Sequence, residues 1–239
     1  MFIKAIRLDD APREGHPFDL PVVRGLRERG GLRLTAPVTL LAGDNGSGKS
    51  TLVEAIAVAA GFNPEGGTTA FNLPTRPGES ALGAHLTLSR PPGRRPRTGF
   101  FLRAESFYNV ATAIDQLGVV GSYGGRSLHE RSHGESFLDL VAHRFGPAGL
   151  YVLDEPEAAL SVNGCLALLV HIAELVAAGS QFVVATHSPI LLACPDATIV
   201  EIGADGTLGE VGYDQAEAVA LTRTFLADPQ RMLRQLLAG

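Results

Sequence analysis

The stretch that decides the fold is GDNGSGKST, residues 43–51. It satisfies the pattern G-x-x-x-x-G-K-[S/T], in which glycines let backbone N–H groups curl around phosphate oxygens while the N-terminus of the next helix faces the same anion. The apolar run VTLLA, Val38–Ala42, precedes it and predicts a buried strand. Apolar residues at helical spacing follow from Lys49 and predict a helix that ends at Gly61. A strand, a glycine-rich loop and a helix in this order predict a phosphate-binding loop.

The residues of this loop have separate expected contacts. Lys49 is expected to reach the β- and γ-phosphates of a nucleotide, Ser50 to coordinate Mg²⁺, and Thr51 to hold the α-phosphate end through its N–H and hydroxyl. The alternative is a glycine-rich turn without a ligand. The other loop residues expected to contact the nucleotide are Gly43, Asn45, Gly46, Ser47 and Gly48.

A pair of carboxylates follows a second predicted strand. In LYVLDEPEAAL, residues 150–160, Asp154 and Glu155 come where the strand ends, at the sheet edge where open α/β sheets bind ligands. Phosphoryl transfer to water needs an acid that holds the metal and a base that accepts the proton of the water. We expect Asp154 to hold the metal and Glu155 to act as the base. The alternative is that both only cap the following turn.

The phosphate-binding loop, DEP and ATHSP (residues 185–189) together resemble the motifs of an ABC-type ATPase domain. This resemblance spans most of the chain and implies ATP and Mg²⁺ as ligands. It also implies that His187 is the switch histidine, which hydrogen-bonds the γ-phosphate and helps to hold the attacking water. A core or surface histidine without this role is the alternative.

The resemblance further requires a signature loop that grips the ATP of a facing subunit. Residues 131–135, RSHGE, are the match: Ser132 and Gly134 keep the serine and the second glycine, whereas His133 and Glu135 depart from LSGGQ. The likeness implies that Ser132, Gly134 and Glu135 contact nucleotide in a head-to-tail homodimer. A helix N-cap without a ligand is the alternative.

Two further positions are expected from the resemblance. Glu105 follows a predicted strand where the family has a metal-sensing glutamine, and its carboxylate is expected to bind Mg²⁺ directly or through water. Phe18 either stacks on adenine or fills the core.

The remaining pattern predicts one α/β domain over residues 1–239: a P-loop NTPase with a mostly parallel central sheet flanked by helices, and an antiparallel β portion in its first half. Residues 2–8 predict a strand near a sheet edge. Residues 84–89 and 99–103 predict two strands joined as a hairpin. The loop between them contains Arg90, Arg94, Arg95 and Arg97, which either touch nucleic-acid phosphates or are simply solvated.

Composition limits the remaining classes of protein. The 239 residues are 45% hydrophobic, with a net charge of −5, and no apolar run is long enough for a membrane span. With no signal sequence recognised, we expect a cytoplasmic protein without membrane insertion. Cys165 and Cys194 lack metal or redox spacing and are expected to be reduced core thiols.

These features predict an enzyme that hydrolyses Mg-ATP while a head-to-tail dimer closes and reopens. Two alternatives remain: a module whose slow ATP turnover times its grip on DNA or a protein partner, and the nucleotide-binding subunit of a transporter. Only 26 residues lie between Glu105 and Ser132, which leaves no room for a long coiled coil and argues against the chromosome-condensing and coiled-coil repair ATPases.

Overall fold

The computed structural model describes residues 1–69, 81–118, 120–123, 127, 129 and 133–238. The strands within these residues are β1 Ala5–Leu8, β2 Leu32–Arg33, β3 Val38–Ala42, β4 Leu86–Ser89, β5 Thr98–Arg103, β6 Gly149–Asp154, β7 Gln181–Ala185, β8 Thr198–Ile202 and β9 Leu208–Val211. The α-helices are α1 Pro21–Glu28, α2 Lys49–Ala60, α3 Phe107–Gln116, α4 His133–Arg144, α5 Val162–Ala177, α6 Pro189–Leu192, α7 Glu217–Ala227 and α8 Pro229–Leu237.

Six strands form the main sheet in the order β5-β6-β7-β3-β8-β9. All neighbouring pairs are parallel except β8 with β9, which is antiparallel. The other three strands form a separate antiparallel sheet in the order β2-β1-β4. The predicted α/β fold, with a mostly parallel central sheet and an antiparallel portion from the first half, is therefore confirmed.

The main sheet is buried on both faces. Side chains that alternate along a strand enter opposite clusters: Tyr151 and Leu153 pack on one side with Phe100, whereas Leu150 and Val152 pack on the other with Leu41. Burial on both faces explains why these strands are continuous apolar runs and not alternating patterns. Cys165 and Cys194 are both buried and free, as expected for core thiols.

Two expectations about the small sheet are wrong. β1 is the central strand and not an edge strand, because β2 and β4 pair with its two sides. β4 and β5 do not form a hairpin, because β4 pairs with β1 while β5 pairs with β6 in the main sheet. The arginine-rich loop between them therefore crosses from one sheet to the other.

Glycine and serine residues cap three of the helices, and the predicted end of α2 at Gly61 is among them. Gly61 ends α2 at φ 99°, and the hydroxyls of Ser161 and Ser188 accept hydrogen bonds from the first turns of α5 and α6. The sequence patterns did not predict α1, β2 or β9. No helix within the described residues is both long and apolar enough to cross a membrane.

Candidate functional site

The carboxyl ends of three adjacent strands bring the predicted site together. Ala185 at the end of β7 is in register with Leu41 of β3 on one side and with Asp154 of β6 on the other. The phosphate-binding loop after β3, the carboxylates after β6 and His187 after β7 therefore leave the main sheet at one edge. This is the edge where open parallel sheets bind their ligands.

The glycines of the loop meet two different constraints. Gly48 has φ 91°, and a Cβ atom there would lie 2.4 Å from Val22 Cγ1. Gly46 has φ 81°, yet a Cβ there would meet nothing within 4 Å. Gly48 is therefore needed for packing against α1, whereas the exposed Gly46 is needed for its left-handed backbone conformation.

Lys49 lies inside the curve of this loop. Its side chain is only 2% exposed, and Nζ donates to the carbonyl oxygens of Gly43 and Asp44, each at 2.8 Å. Burial lowers the pKa of this amine, while the carboxylates of Glu155 and Asp154 oppose that shift. The Ser47 hydroxyl is also buried in this loop, and it has no hydrogen-bond partner among the described residues.

Asp154 is a buried carboxylate that faces the start of α2. Burial raises its pKa to about 6 against the opposing effect of Arg103, and the Ser50 hydroxyl hydrogen-bonds to it. Its Oδ1 atom is buried and, within the described part of the chain, has no hydrogen-bond partner. An unpartnered buried carboxylate oxygen beside a hydroxyl is a donor set that suits Mg²⁺, a cation that binds oxygen ligands.

These donors are few. The described residues contain no group of three or more His, Cys, Asp or Glu that could hold a metal by themselves. Mg²⁺ bound with a nucleotide usually takes only one or two protein ligands and completes its shell with phosphates and water. Ser50 and Asp154 therefore fit a metal that arrives with a phosphate ligand better than a resident metal.

Glu155 and His187 form a pair next to Asp154. His187 Nε2 lies 3.0 Å from Glu155 Oε1, and the two side chains are 30% and 35% exposed. The backbone of Glu155 is left-handed, at φ 48°, and its N–H donates to Ala185 O at 3.0 Å. That hydrogen bond joins the turn after β6 to the end of β7, which sets the acid opposite the imidazole.

The comparisons with known proteins concern the fold. Residues 23–80 match the family model for an AAA domain. A metal-chelate type ABC transporter in an inward-facing conformation superposes with a TM-score of 0.50 at 15% identity, covering 89% of this chain and 84% of that chain. The SMC head bound to the C-winged helix domain of ScpA gives 0.50 at 14% identity, covering 88% and 98%. This chain has the fold of the P-loop, ABC-like ATPases.

Further comparisons add little to the fold assignment. The SMC head domain from Thermotoga maritima superposes with a TM-score of 0.48 at 16% identity, covering 88% of this chain and 98% of that one. No curated protein matches the sequence significantly. The assignment to the ABC-like fold therefore rests on the two superpositions at 0.50, together with the topology above.

Arg103 is a residue of the site that the sequence patterns did not single out. It ends β5 in register with Asp154, and Nε lies 3.4 Å from Asp154 Oδ2. Nη1 lies 2.7 Å from Glu54 Oε2 on α2. One guanidinium thus links the helix that follows the phosphate-binding loop to the strand that carries the carboxylates.

Glu105, the predicted metal ligand on this segment, lies further out. Its side chain is 90% exposed, and its Oε2 is 3.8 Å from Arg103 Nη2. The structure therefore brings Arg103, and not Glu105, against Asp154. Metal binding by Glu105 stays a prediction.

Glu157 was also missed, although it stands two residues after Glu155. Its Oε1 atom accepts three hydrogen bonds, from Thr186 Oγ1 at 2.8 Å, His187 N at 2.6 Å and Ser188 N at 3.1 Å. Glu157 thus fixes the backbone that carries His187. The sequence does show a second glutamate directly after DEP. Its spacing, however, does not predict that it accepts hydrogen bonds from the residues that follow β7.

The predicted signature loop is described only in part. Ser132 lies outside the described residues. Gly134 and Glu135 stand in the first turn of α4, and a Cβ atom on Gly134 would lie 3.2 Å from the Ala159 carbonyl oxygen. Their contact with nucleotide in a partner subunit stays a prediction, as do the contacts of Asn45 and Thr51.

Phe18 belongs to the core. It is 8% exposed and its ring packs edge-on against His85, with centroids 5.2 Å apart. The prediction that Phe18 fills the core is therefore confirmed, and stacking of Phe18 on adenine is not supported.

Proposed function

We propose that this chain binds Mg-ATP at the edge formed by β3, β6 and β7 and hydrolyses it to ADP and phosphate. The observation that carries this proposal is the convergence of three elements there: the buried Lys49 amine, the hydrogen-bonded Ser50–Asp154 pair, and the Glu155–His187 pair. Each supplies one of the functions that phosphoryl transfer to water needs, namely phosphate binding, metal binding and proton acceptance.

The phosphate-binding loop and Lys49 bind the phosphates of the nucleotide. When a triphosphate enters, its oxygens replace the carbonyl oxygens of Gly43 and Asp44 as acceptors for Lys49 Nζ. Charge-assisted hydrogen bonds to phosphate are stronger than those to neutral carbonyls, which favours the exchange. The N–H groups at the start of α2 face the same anion.

Metal binding falls to Ser50 and Asp154. These two residues would hold Mg²⁺, which would supply charge neutralisation for the phosphates. The part played by the chain is to keep Asp154 ionised and oriented, and Arg103 does both by placing a positive charge beside Oδ2.

The chemistry falls to Glu155 and His187. A water oxygen forms a bond to the γ-phosphorus, the bond from that phosphorus to the oxygen of ADP breaks, and a proton of the water passes to the Glu155 carboxylate. His187, 3.0 Å from that carboxylate, orients it and reaches the same water or the γ-phosphate.

Dimer closure is the second part of the proposal and rests on the family resemblance. Ser132, Gly134 and Glu135 of one subunit would contact the nucleotide held by the other in a head-to-tail arrangement. The partial exposure of Glu155 and His187 supports this, because a facing subunit would exclude solvent from the reacting water.

The test uses the only two lysines of the chain. Lys49→Ala removes the buried amine of the loop, whereas Lys4→Ala removes an exposed amine from the small sheet and serves as the matched control. ATP binding is measured with a fluorescent ATP analogue, and turnover by release of phosphate. We expect Lys49→Ala to lose binding and turnover and Lys4→Ala to keep both. Turnover by Lys49→Ala at the rate of the control would refute the proposed site.

A further inference from the structure

Acidic and basic residues are segregated in this chain. Segments 1–8, 29–43 and 86–104 contain no Asp or Glu, yet they hold nine of the 20 lysines and arginines. The whole chain carries a net charge of −5, so its other segments are strongly acidic. Each of the three acid-free segments contributes one strand to the small sheet, namely β1, β2 and β4. The fold therefore gathers three basic segments that are far apart in sequence.

Arginines lie on the outer face of this sheet. Ile6 and Leu32 are paired across β1 and β2 and are buried on the inner face. Their neighbours Arg7 and Arg33, which point to the other face, are both exposed. The inner face is thus part of the core, and the outer face presents guanidinium groups to solvent.

The arginine-rich loop between β4 and β5 extends this basic face at the end of β4. Ala5 pairs with Arg33 on one side and with Ser89 on the other, so the loop starts at the same row of the sheet as Arg33. Lys4 N donates to Ser89 O at 2.8 Å, and both Lys4 and Arg90, the residue after Ser89, are exposed. The Arg94 guanidinium lies 5.8 Å from the centroid of the Phe2 ring, so the loop contacts the segment that leads into β1. We call this surface the basic patch; its members are Lys4, Arg7, Arg33, Arg90, Arg94 and Arg95.

These cations have no acidic partner among the residues that the structure describes. In the part of the chain that the structure describes, no carboxylate lies within ion-pair distance of any of the six. Unpaired cations that are clustered on a surface repel one another. Because the chain as a whole is acidic, its overall composition does not explain such a cluster. A polyanion bound here would relieve that repulsion.

We propose that the basic patch binds the phosphate backbone of double-helical DNA without regard to sequence. Five of its six cations are arginines, whose planar guanidinium matches phosphate oxygens in pairs. Lysine and arginine carry donors only, which suit phosphate oxygens, and they cannot accept the hydrogen bond that the 2′-hydroxyl of RNA donates. This inference does not depend on ATP hydrolysis, because the patch contains none of the residues proposed to bind nucleotide.

Two other anionic partners fit the surface less well. Binding of single strands relies on aromatic rings that stack on bases, but the described residues of the three segments expose no aromatic side chain. Peripheral binding to a membrane relies on apolar side chains that enter the lipid, and no large apolar residue of these segments is exposed either. A surface of cations alone suits a duplex, whose bases are already stacked and whose phosphates face outward.

The experiment compares two triple variants of equal net charge. The patch variant carries Arg7→Gln, Arg33→Gln and Arg94→Gln; the control carries Arg13→Gln, Arg231→Gln and Arg234→Gln, which are exposed arginines outside the patch. Binding to a duplex of about 40 base pairs is measured by anisotropy without nucleotide, between about 0.05 and 0.2 M salt. We expect the patch variant to bind at least about tenfold more weakly than wild type and to lose about 2–3 from the log–log salt slope, since each neutralised phosphate contributes about 0.9.

The control variant should keep the wild-type slope within about one unit, because fewer than two of its cations would contact phosphate. Equal losses in both variants would mean that binding follows net charge and would overturn the assignment to the patch. Tighter binding to a single strand, to an RNA duplex or to anionic vesicles than to duplex DNA would overturn the assignment of the partner. Repeating the wild-type titration with Lys49→Ala separates the two proposals, because that variant should bind DNA normally even though it lacks ATP turnover.

Discussion

Arg103 Nε lies 3.4 Å from Asp154 Oδ2, at the same row of two neighbouring parallel strands. The other end of the guanidinium is 2.7 Å from Glu54 Oε2, and all three side chains are less than 20% exposed. Arg103 therefore compensates two nearly buried carboxylates at once. It also occupies one oxygen of Asp154, which leaves Oδ1 as the oxygen available to a metal.

Replacing Arg103 should destabilise the fold. Arg103→Gln leaves the carboxylates of Glu54 and Asp154 buried without their cation, and removing one partner of a buried ion pair costs about 3–5 kcal/mol. The residual exposure of Arg103 reduces this to about 2–4 kcal/mol. Urea unfolding without nucleotide measures it, with the exposed Arg231→Gln as the control. A loss below about 1 kcal/mol would mean that Arg103, Glu54 and Asp154 are open to water.

The stability of the unliganded protein should depend on pH through Asp154. Its pKa is raised by burial from 3.8 to about 6 in the folded state, so the folded state binds the proton more tightly. The stabilisation from this proton is complete below about pH 4 and is lost as the pH rises through 6. Asparagine at this position is neutral at every pH and so avoids the cost of burying a charge. The Asp154→Asn variant should therefore be more stable than wild type by about 2–3 kcal/mol at pH 7.5 but not at pH 4.

Urea unfolding at these two pH values, in EDTA and without nucleotide, checks this expectation. The exposed Asp19→Asn serves as the control and should show no such difference between the pH values. The same Asp154→Asn protein should lose Mg²⁺-dependent ATP turnover, because the amide is a poorer ligand for a hard cation. Equal stability of the variant and wild type at pH 7.5 would show that Asp154 is not penalised by burial.

Glu157 should act on His187 through the backbone. Glu157→Ala removes the acceptor of three hydrogen bonds and should cost about 2–3 kcal/mol of stability. It should also lower kcat about 10- to 100-fold, because small displacements of catalytic groups are costly. Glu157→Gln keeps one side-chain oxygen as an acceptor and should recover most of both. If the glutamine variant were as slow as the alanine variant, the glutamate charge itself would be required.

Local patterns predicted the elements that lead into the site. Three predicted features are found: the strand before the phosphate-binding loop, the helix that starts at Lys49, and the strand before DEP. The strands are short apolar runs that end at a glycine or a polar turn, and the helix has apolar residues at helical spacing. The parallel order of those strands then follows from their alternation with helices. This was enough to place Lys49, Asp154, Glu155 and His187 at one edge.

What the patterns missed depends on contacts between distant segments. β2 is two residues long and β9 is four residues long with only Leu208 buried, so neither carries a strong periodic signal. The false hairpin arose because β4 and β5 are close in sequence, whereas the pairing was decided by β1 and β6. Arg103 and Glu157 were missed for the same reason, since their partners lie on other elements of the fold.

The Glu155→Gln variant should bind Mg-ATP and stall before hydrolysis. Glutamine keeps the shape of the side chain and can still hydrogen-bond to His187, but it cannot accept the proton of the attacking water. If a facing subunit completes the site, the stalled complex should accumulate as a dimer. Size-exclusion chromatography with light scattering, with and without Mg-ATP, measures this. The exposed Glu210→Gln is the control and should turn over normally without accumulating as a dimer.

Adding Ser132→Arg to Glu155→Gln then tests which subunit supplies the predicted signature serine. A bulky cation at that position should block dimer formation, yet ATP binding by the monomer should stay within about threefold, because the phosphate that Ser132 grips would belong to the other subunit. Loss of monomer binding would instead place Ser132 in its own nucleotide site. A Glu155→Gln protein that remains monomeric at saturating ATP would count against closure of a head-to-tail dimer, and normal turnover by it would remove Glu155 from the role of base.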